Sequence, residues 1–321
     1  MSWSVAGPTW HCFSNSDREM AVTGFFVSPL EWIWKLWTEP DYLARWWGPS
    51  GFVSTISKVE PWPGGVWKFV MHAPDGTDSL HKFVCSEAAK FKRIVCEHVS
   101  KPRFRLAVTF KPQGRYKTHF VMRLLFESPP RGASKEMFGT AEALHQTLLR
   151  LRRCAAEFKG SDFTIVRLMD APCERVFRAW TDAEQLERWF GPKESNTRVV
   201  LYPTSGGALR IVMCPHRGDV HTIKGVPEEV VAPERLVWQM DFSEYPKQWH
   251  ESVAGYAGRV KPWRQKPCRQ FVAFRDRRGR TLMTIRTRFQ SAEIRDAMIK
   301  VGIFEDLKQS LERLQDLMAR P

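Results

Sequence analysis

The side chains best suited to chemistry fall on one extended stretch, "RIVCEHVS", Arg93 to Ser100. Alternation along a strand puts Ile94, Cys96, His98 and Ser100 on the same face. His98 and Cys96 are the candidates for a general base or polar anchor. A histidine so placed is more often one hydrogen-bonded within a core. A second cluster, "CPHRGDVH" from Cys214 to His221, brings one Cys and two His together. Its spacing matches no zinc pattern, so neither a metal nor a cofactor is expected. GxSxG, HExxH, P-loop and dinucleotide fingerprints are absent, which removes the enzyme classes that depend on them.

Composition narrows the setting. A chain of 321 residues has the length of about two domains. No run of eighteen apolar residues occurs, so no membrane span is expected. The first seventeen residues lack a basic start and an apolar stretch and read as a loose arm rather than a signal peptide. Seven scattered cysteines without a CxxC fit reduced thiols in the cytoplasm. The net charge of +14 invites a nucleic-acid reading, but it divides evenly. Up to Phe158 there are 21 Lys+Arg against 14 Asp+Glu, and after it 28 against 21. With no basic tail and no recognisable motif, a solvated basic surface is expected, not a nucleic-acid partner.

The elements that must position these residues occur twice. "WTEPDYLARWWGP", Trp37 to Pro49, returns as "WTDAEQLERWFGP", Trp180 to Pro192, with seven of thirteen positions identical. The correspondence continues through Gly64-Gly65 with Gly206-Gly207, Val70-Met71 with Val212-Met213, and Leu144, Leu148 and Leu151 with Leu307, Leu311 and Leu314. Residues 18–158 and 161–321 are therefore read as two homologous domains. The second copy is longer, mainly through 243–267, an aromatic and basic insert read as a long loop forming a lid or contact surface. Each copy predicts an extended segment, two short helices ending at Gly-Pro, several antiparallel strands and a long amphipathic helix. In the second copy that helix runs through Ile294, Met298, Val301, Phe304, Leu307, Leu311, Leu314 and Met318. The architecture expected is two-layer α+β.

Strand alternation assigns an inner face. Trp67, Phe69 and Met71 share it with Leu209, Ile211 and Met213 of the second copy. Phe120, Met122 and Leu124 correspond to Met283, Ile285 and Thr287, and Trp238 and Met240 lie on a further strand. These side chains serve either as core or as the lining of a ligand cavity. Gly139 and Gly302 interrupt the two long helices at equivalent places, leaving room for a ligand or marking a kink. The Trp46-Trp47 and Trp189-Phe190 pairs read as staples for the short helices. Arg45 and Arg188 beside them can stack on the rings or meet an acidic ligand group.

The phrases "AP…VFRAWTDAEQLERWFGP", "GGALRIVM", "GGVWKFVM", "PERLVWQM" and "FQSAEIRDAMIKVGIFEDLKQSLERL" resemble the activator-of-heat-shock-ATPase-like branch of the START/SRPBCC superfamily. That resemblance implies two tandem helix-grip domains, each a curved antiparallel sheet wrapped round the long C-terminal helix with an apolar cavity between. The superfamily includes lipid and sterol carriers, polyketide cyclases, chaperone activators and enediyne resistance proteins. The tandem arrangement also resembles a helix-grip protein of an enediyne pathway. The resemblance implies a hydrophobic small-molecule partner of polyketide, polyene or enediyne type, bound in antibiotic biosynthesis or self-resistance. A polyketide cyclase or aromatase and a chaperone ATPase activator are the alternatives. Activators in that family carry a different N-terminal domain, whereas here a second helix grip takes that place.

Overall fold

In the computed structural model, residues 3–4, 10–13, 16–128, 141–157, 160–216, 218–258 and 266–319 are described. The chain divides into two compact units, Met1–Phe158 and Lys159–Pro321. The first unit runs β1 (Trp3–Ser4), β2 (Trp10–Phe13), β3 (Glu19–Phe26), α1 (Leu30–Thr38), α2 (Pro40–Trp46), β4 (Val53–Lys58), β5 (Val66–His72), β6 (Asp78–Ala89), β7 (Arg93–His98), β8 (Phe104–Pro112), β9 (Thr118–Phe126) and α3 (Ala141–Ala156). The second runs β10 (Asp162–Met169), α4 (Cys173–Thr181), α5 (Ala183–Trp189), β11 (Ser195–Leu201), β12 (Leu209–Pro215), β13 (His221–Val231), β14 (Arg235–Asp241), α6 (Lys247–Tyr256), β15 (Cys268–Arg277), β16 (Arg280–Arg288), α7 (Ala292–Lys300) and α8 (Ile303–Met318).

Both sheets are antiparallel, and their orders match strand for strand. In the second unit the order is β10-β16-β15-β14-β13-β12-β11, and in the first β3-β9-β8-β7-β6-β5-β4 repeats it. Two tandem α+β domains of one topology result, as the repeat predicts. The first sheet gains β1 and β2 at its edge, where Trp10 to Phe13 pair with Gly24 to Ala21. The segment expected as a loose arm thus contributes strands, because the open edge of β3 offers its backbone groups for pairing.

The repeated tryptophan phrase is a scaffold. Trp46 donates its indole N–H to the Leu36 carbonyl at 2.7 Å, and Trp189 donates to Ala179 at 2.8 Å. Each thereby ties its short helix to the preceding one. Gly48 and Gly191 stop those helices at φ of 102° and 101°. Any Cβ there would also collide, at 2.8 Å from Met71 Cε in one copy and Ser195 Oγ in the other. An arginine on the C-terminal helix then clasps the stop. Arg150 donates to the carbonyls of Arg45, Gly48, Pro49 and Phe52, and Arg313 to those of Arg188, Gly191 and Pro192. The Arg45 side chain itself is buried and ion-paired with Glu157, at the end of the C-terminal helix of its unit.

Two elements depart from the sequence reading. The insert carries a helix, α6, opened by Pro246. Tyr245, Trp249 and Val253 recur every fourth residue, and that spacing was the signal for it. The C-terminal helix of the second unit is two helices, because Gly302 turns left-handed at φ 92° between α7 and α8. A Cβ on Gly302 would meet nothing within 4 Å, so the conformation and not a lack of space demands glycine. Gly139, its counterpart, lies outside the described residues. No described helix is long and apolar enough to cross a membrane.

Candidate functional site

A cavity opens between the sheet of the second unit and the start of α8. Counted out to its mouth, open solvent included, it measures about 620 Å³, and the space within it open to a water-sized sphere is about 60 Å³. Met213, Ile223, Met240 and Phe242 form apolar walls, with Cys268, Gln270, Thr287 and Phe289 on the neighbouring strands. The first turns of α8 bring Ile303, Phe304, Asp306 and Leu307, and the Gly-Pro stop adds Phe190, Gly191 and Pro192. The clasp of Arg313 and the break at Gly302 therefore both bear on the site: one anchors α8, the other sets where it begins.

The insert closes one side. Tyr245 is buried against Phe242, Trp249 and His221, with ring centroids 5.2, 4.7 and 4.8 Å away. Burial, with the Asp306 carboxylate behind it, raises the Tyr245 hydroxyl above its ordinary pKa. Burial also lowers His221, against the opposing pull of Asp219, and raises Asp306, to which Glu305 adds repulsion. Cys268 is pushed up to about 12 by burial, so its thiol stays protonated and is a poor nucleophile. Ser310 is fully committed, donating to the Asp306 carbonyl and accepting from Gly191 N–H. Gln270 is not: its Nε2 donates weakly to Thr287 Oγ1 at 3.4 Å, and its buried Oε1 has no partner among the described residues.

Strand register shows what the first unit does with the same space. Met240 and His98 occupy equivalent positions, as partners of Gly225 and Phe83. One strand on, Cys268 corresponds to Phe104 and Gln270 to Leu106. Thr287 then corresponds to Leu124, and Ile223 to His81. The first unit thus replaces Gly, Cys, Gln and Thr by Phe, Phe, Leu and Leu. Its rings pack continuously: Phe83 to His98 at 4.6 Å, His98 to Phe104 at 4.7 Å, and Phe69 to His81 at 5.4 Å. An open groove of about 940 Å³ also passes His98 and Phe104, bordered by exposed charges that include the pairs Arg105–Glu97 and Arg103–Glu127.

His98 belongs to a closed relay. Its Nδ1 lies 2.6 Å from the Pro102 carbonyl, which only accepts, so that nitrogen carries the proton. Its Nε2 must then accept from His81 Nδ1 at 3.1 Å, and His81 Nε2 accepts from Ser79 Oγ at 3.0 Å. Every ring nitrogen is used, and burial holds both imidazoles neutral with pKa values lowered to about 4. Cys96 sits beneath, its thiol pushed up by its hydrogen bond with Cys85 and by burial. Unfolding returns both histidines to an ordinary value near 6.5. Stability of this unit should therefore be complete above that value and fall as pH drops toward 4, by about 2 kcal/mol per pH unit at the steepest point. Urea unfolding between pH 4 and 7 measures it. The variant H81I/H98M, carrying the residues of the second copy, should flatten the slope.

Of the residues singled out by sequence, Met213 and Met240 line the cavity. Leu209, Ile211, Trp238, Met283 and Ile285 are buried on the same inner face but are not among its lining. Trp67, Phe69, Met71, Phe120, Met122 and Leu124 are buried in the first unit. Gly302 adjoins the lining at Ile303. Sequence reasoning missed Tyr245, Gln270, Asp306 and His221 as site residues. His221 was noticed only as a member of the Cys/His cluster, and among the described residues no group of three or more His, Cys, Asp or Glu is placed to hold a metal ion.

Solved structures similar to this chain include a protein from Arthrobacter aurescens at 24% identity, covering 50% of this chain and 88% of that one with a TM-score of 0.43. Protein Ms6760 from Mycobacterium smegmatis is 18% identical over 50% of this chain and 93% of its own, also at 0.43. The di-domain ARO/CYC BexL from the BE-7585A biosynthetic pathway is 14% identical over 95% of this chain and 100% of its own, at 0.35. No curated protein sequence matched. The family model "Activator of Hsp90 ATPase homolog 1-like protein" matches residues 28–156 and again 170–319. Together those matches span most of the sequence, and the chain belongs to that family, in two tandem copies.

Proposed function

We propose that the second unit binds one apolar small molecule per chain in its helix-grip cavity, and that the first unit fills its equivalent space with its own side chains. The observation that carries this is the register-by-register exchange of Cys268, Gln270 and Thr287 for Phe104, Leu106 and Leu124. Aromatic rings and two methionines around the cavity suit a flat, polarisable, conjugated guest. The ligand class is a polyketide, polyene or enediyne-type natural product or intermediate, held during antibiotic biosynthesis or self-resistance. Cys85, Cys96, Cys154, Cys173, Cys214 and Cys268 are free thiols, in keeping with a reducing cytoplasm. Native mass spectrometry of the chain from its producing cells should show one bound apolar compound. Two per chain, or none even after titration with conjugated probes, overturns the reading.

A second reading, a cyclase or aromatase, is favoured by His221, Tyr245 and Asp306 at one cavity. Such an enzyme works chiefly by positioning a reactive chain, with one or two polar groups to move protons. Turnover of a polyketide intermediate that is lost in His221→Ala, with binding retained, would select it.

A further inference from the structure

The apolar walls say little about which conjugated molecule the cavity takes; its polar floor says more. Gln270 is 4% exposed and Thr287 5%, and both line the cavity. Their mutual hydrogen bond, 3.4 Å long, is the one that the Gln270 side chain makes among the described residues. An amide can donate twice and accept twice, so this one is far from satisfied. Turning it over does not help, because Thr287 can meet only one end and the other is left bare. A buried polar group left in that state costs stability, and an apolar pair of the same shape would remove the cost.

The first unit shows that the fold does not need the pair. At the same two register positions it carries Leu106 and Leu124, both fully buried. Of the other polar groups of the cavity, Asp306 corresponds to Ala143 in the helix, while His221 and Ser310 keep polar counterparts in Ser79 and Thr147. Tyr245 belongs to the insert. Gln270, Thr287 and Asp306 therefore bring polarity to positions where the first copy shows that the shared architecture does not require it.

Resting on the binding reading above, we infer that Gln270, supported by Thr287, is the specificity-determining residue of this cavity and that the ligand is a conjugated molecule bearing a hydroxyl at its buried end. A hydroxyl answers the amide in either orientation, donating to Oε1 or accepting from Nε2. A bare hydrocarbon of the same shape leaves the amide unpartnered and is disfavoured.

The test uses a matched pair of probes, 2-naphthol and naphthalene, on the full chain and on its Q270L/T287L variant. Thermal unfolding first checks that the variant is folded; the first copy's leucines make this the expected result. Comparing the ratio of the two affinities between the proteins cancels the difference in probe hydrophobicity. The wild-type chain should favour 2-naphthol over naphthalene about tenfold more than the variant does. The variant should gain affinity for naphthalene. Equal ratios, with both probes bound, overturn this inference and leave the binding reading intact, because the amide is then satisfied by water or not engaged. Binding of neither probe by the wild-type chain overturns both.

Discussion

Exchanging a single residue between equivalent strand positions should move open space from one unit to the other. Cys268→Phe places in the second unit the ring that Phe104 contributes to the first, at the register position set by Met240 on one side and His98 on the other. The ring has a cavity to enter, so little overpacking strain is expected. Affinity for a conjugated probe should fall at least about a hundredfold, the loss expected when a guest's space is taken. The reciprocal change, Phe104→Cys, removes a ring that packs on His98 at 4.7 Å, Phe126 at 5.2 Å and Phe83 at 5.7 Å. It should destabilise the first unit by about 3–4 kcal/mol, the cost of deleting a buried phenyl and leaving a void. Urea denaturation measures the second effect and probe fluorescence the first. Undiminished binding by Cys268→Phe would place the guest elsewhere.

The largest effect on stability without any bearing on the guest is expected at Arg150. Its guanidinium reaches four main-chain carbonyls, of Arg45, Gly48, Pro49 and Phe52, at 2.8 to 3.1 Å. Burial lowers its pKa but leaves it charged, and the carbonyls are what compensate the lost hydration. Arg150→Met removes the charge and strands the carbonyls, which should cost about 3 kcal/mol or more. In a unit of this size the melting temperature would drop by roughly 6–12 °C. Arg150→Lys should rescue little, since an ammonium cannot reproduce the planar fork. Arg313→Met should cost less, because Arg313 meets three carbonyls and the donation to Arg188 is an exposed one. Equal losses at the two positions would contradict this account.

The fold was legible because its determinants are local and repeated. Gly48 and Gly191 need positive φ, Trp46 and Trp189 need a carbonyl ten residues back, and each requirement is written twice at the same spacing. The inner face followed from the period of two along each strand. The site was harder because it depends on which residues face each other across strands. Nothing along "CRQF" announces that Gln270 lies beside Thr287, seventeen residues away, while Leu106 lies beside Leu124. His98 was conspicuous for a different reason. As a polar residue on an apolar face it stands out in sequence, but its partners His81 and Pro102 arrive from a neighbouring strand and a turn. The helix in the insert was missed because its aromatic and basic content outweighed a spacing that was there to be read.

Two copies of one architecture in a single chain also separate what must be kept from what is free to vary. The arginine clasp, the glycine stop and the tryptophan tie agree between copies, and a change at any of them should cost stability in either unit. Cys268, Gln270 and Thr287 differ from their counterparts, and the first copy is a working demonstration that the fold tolerates other residues there. A lineage can therefore explore new guests by drifting at these three positions while the clasp and ties hold the frame. Selection for ligand choice and selection for folding then act on different residues, so neither has to wait for the other.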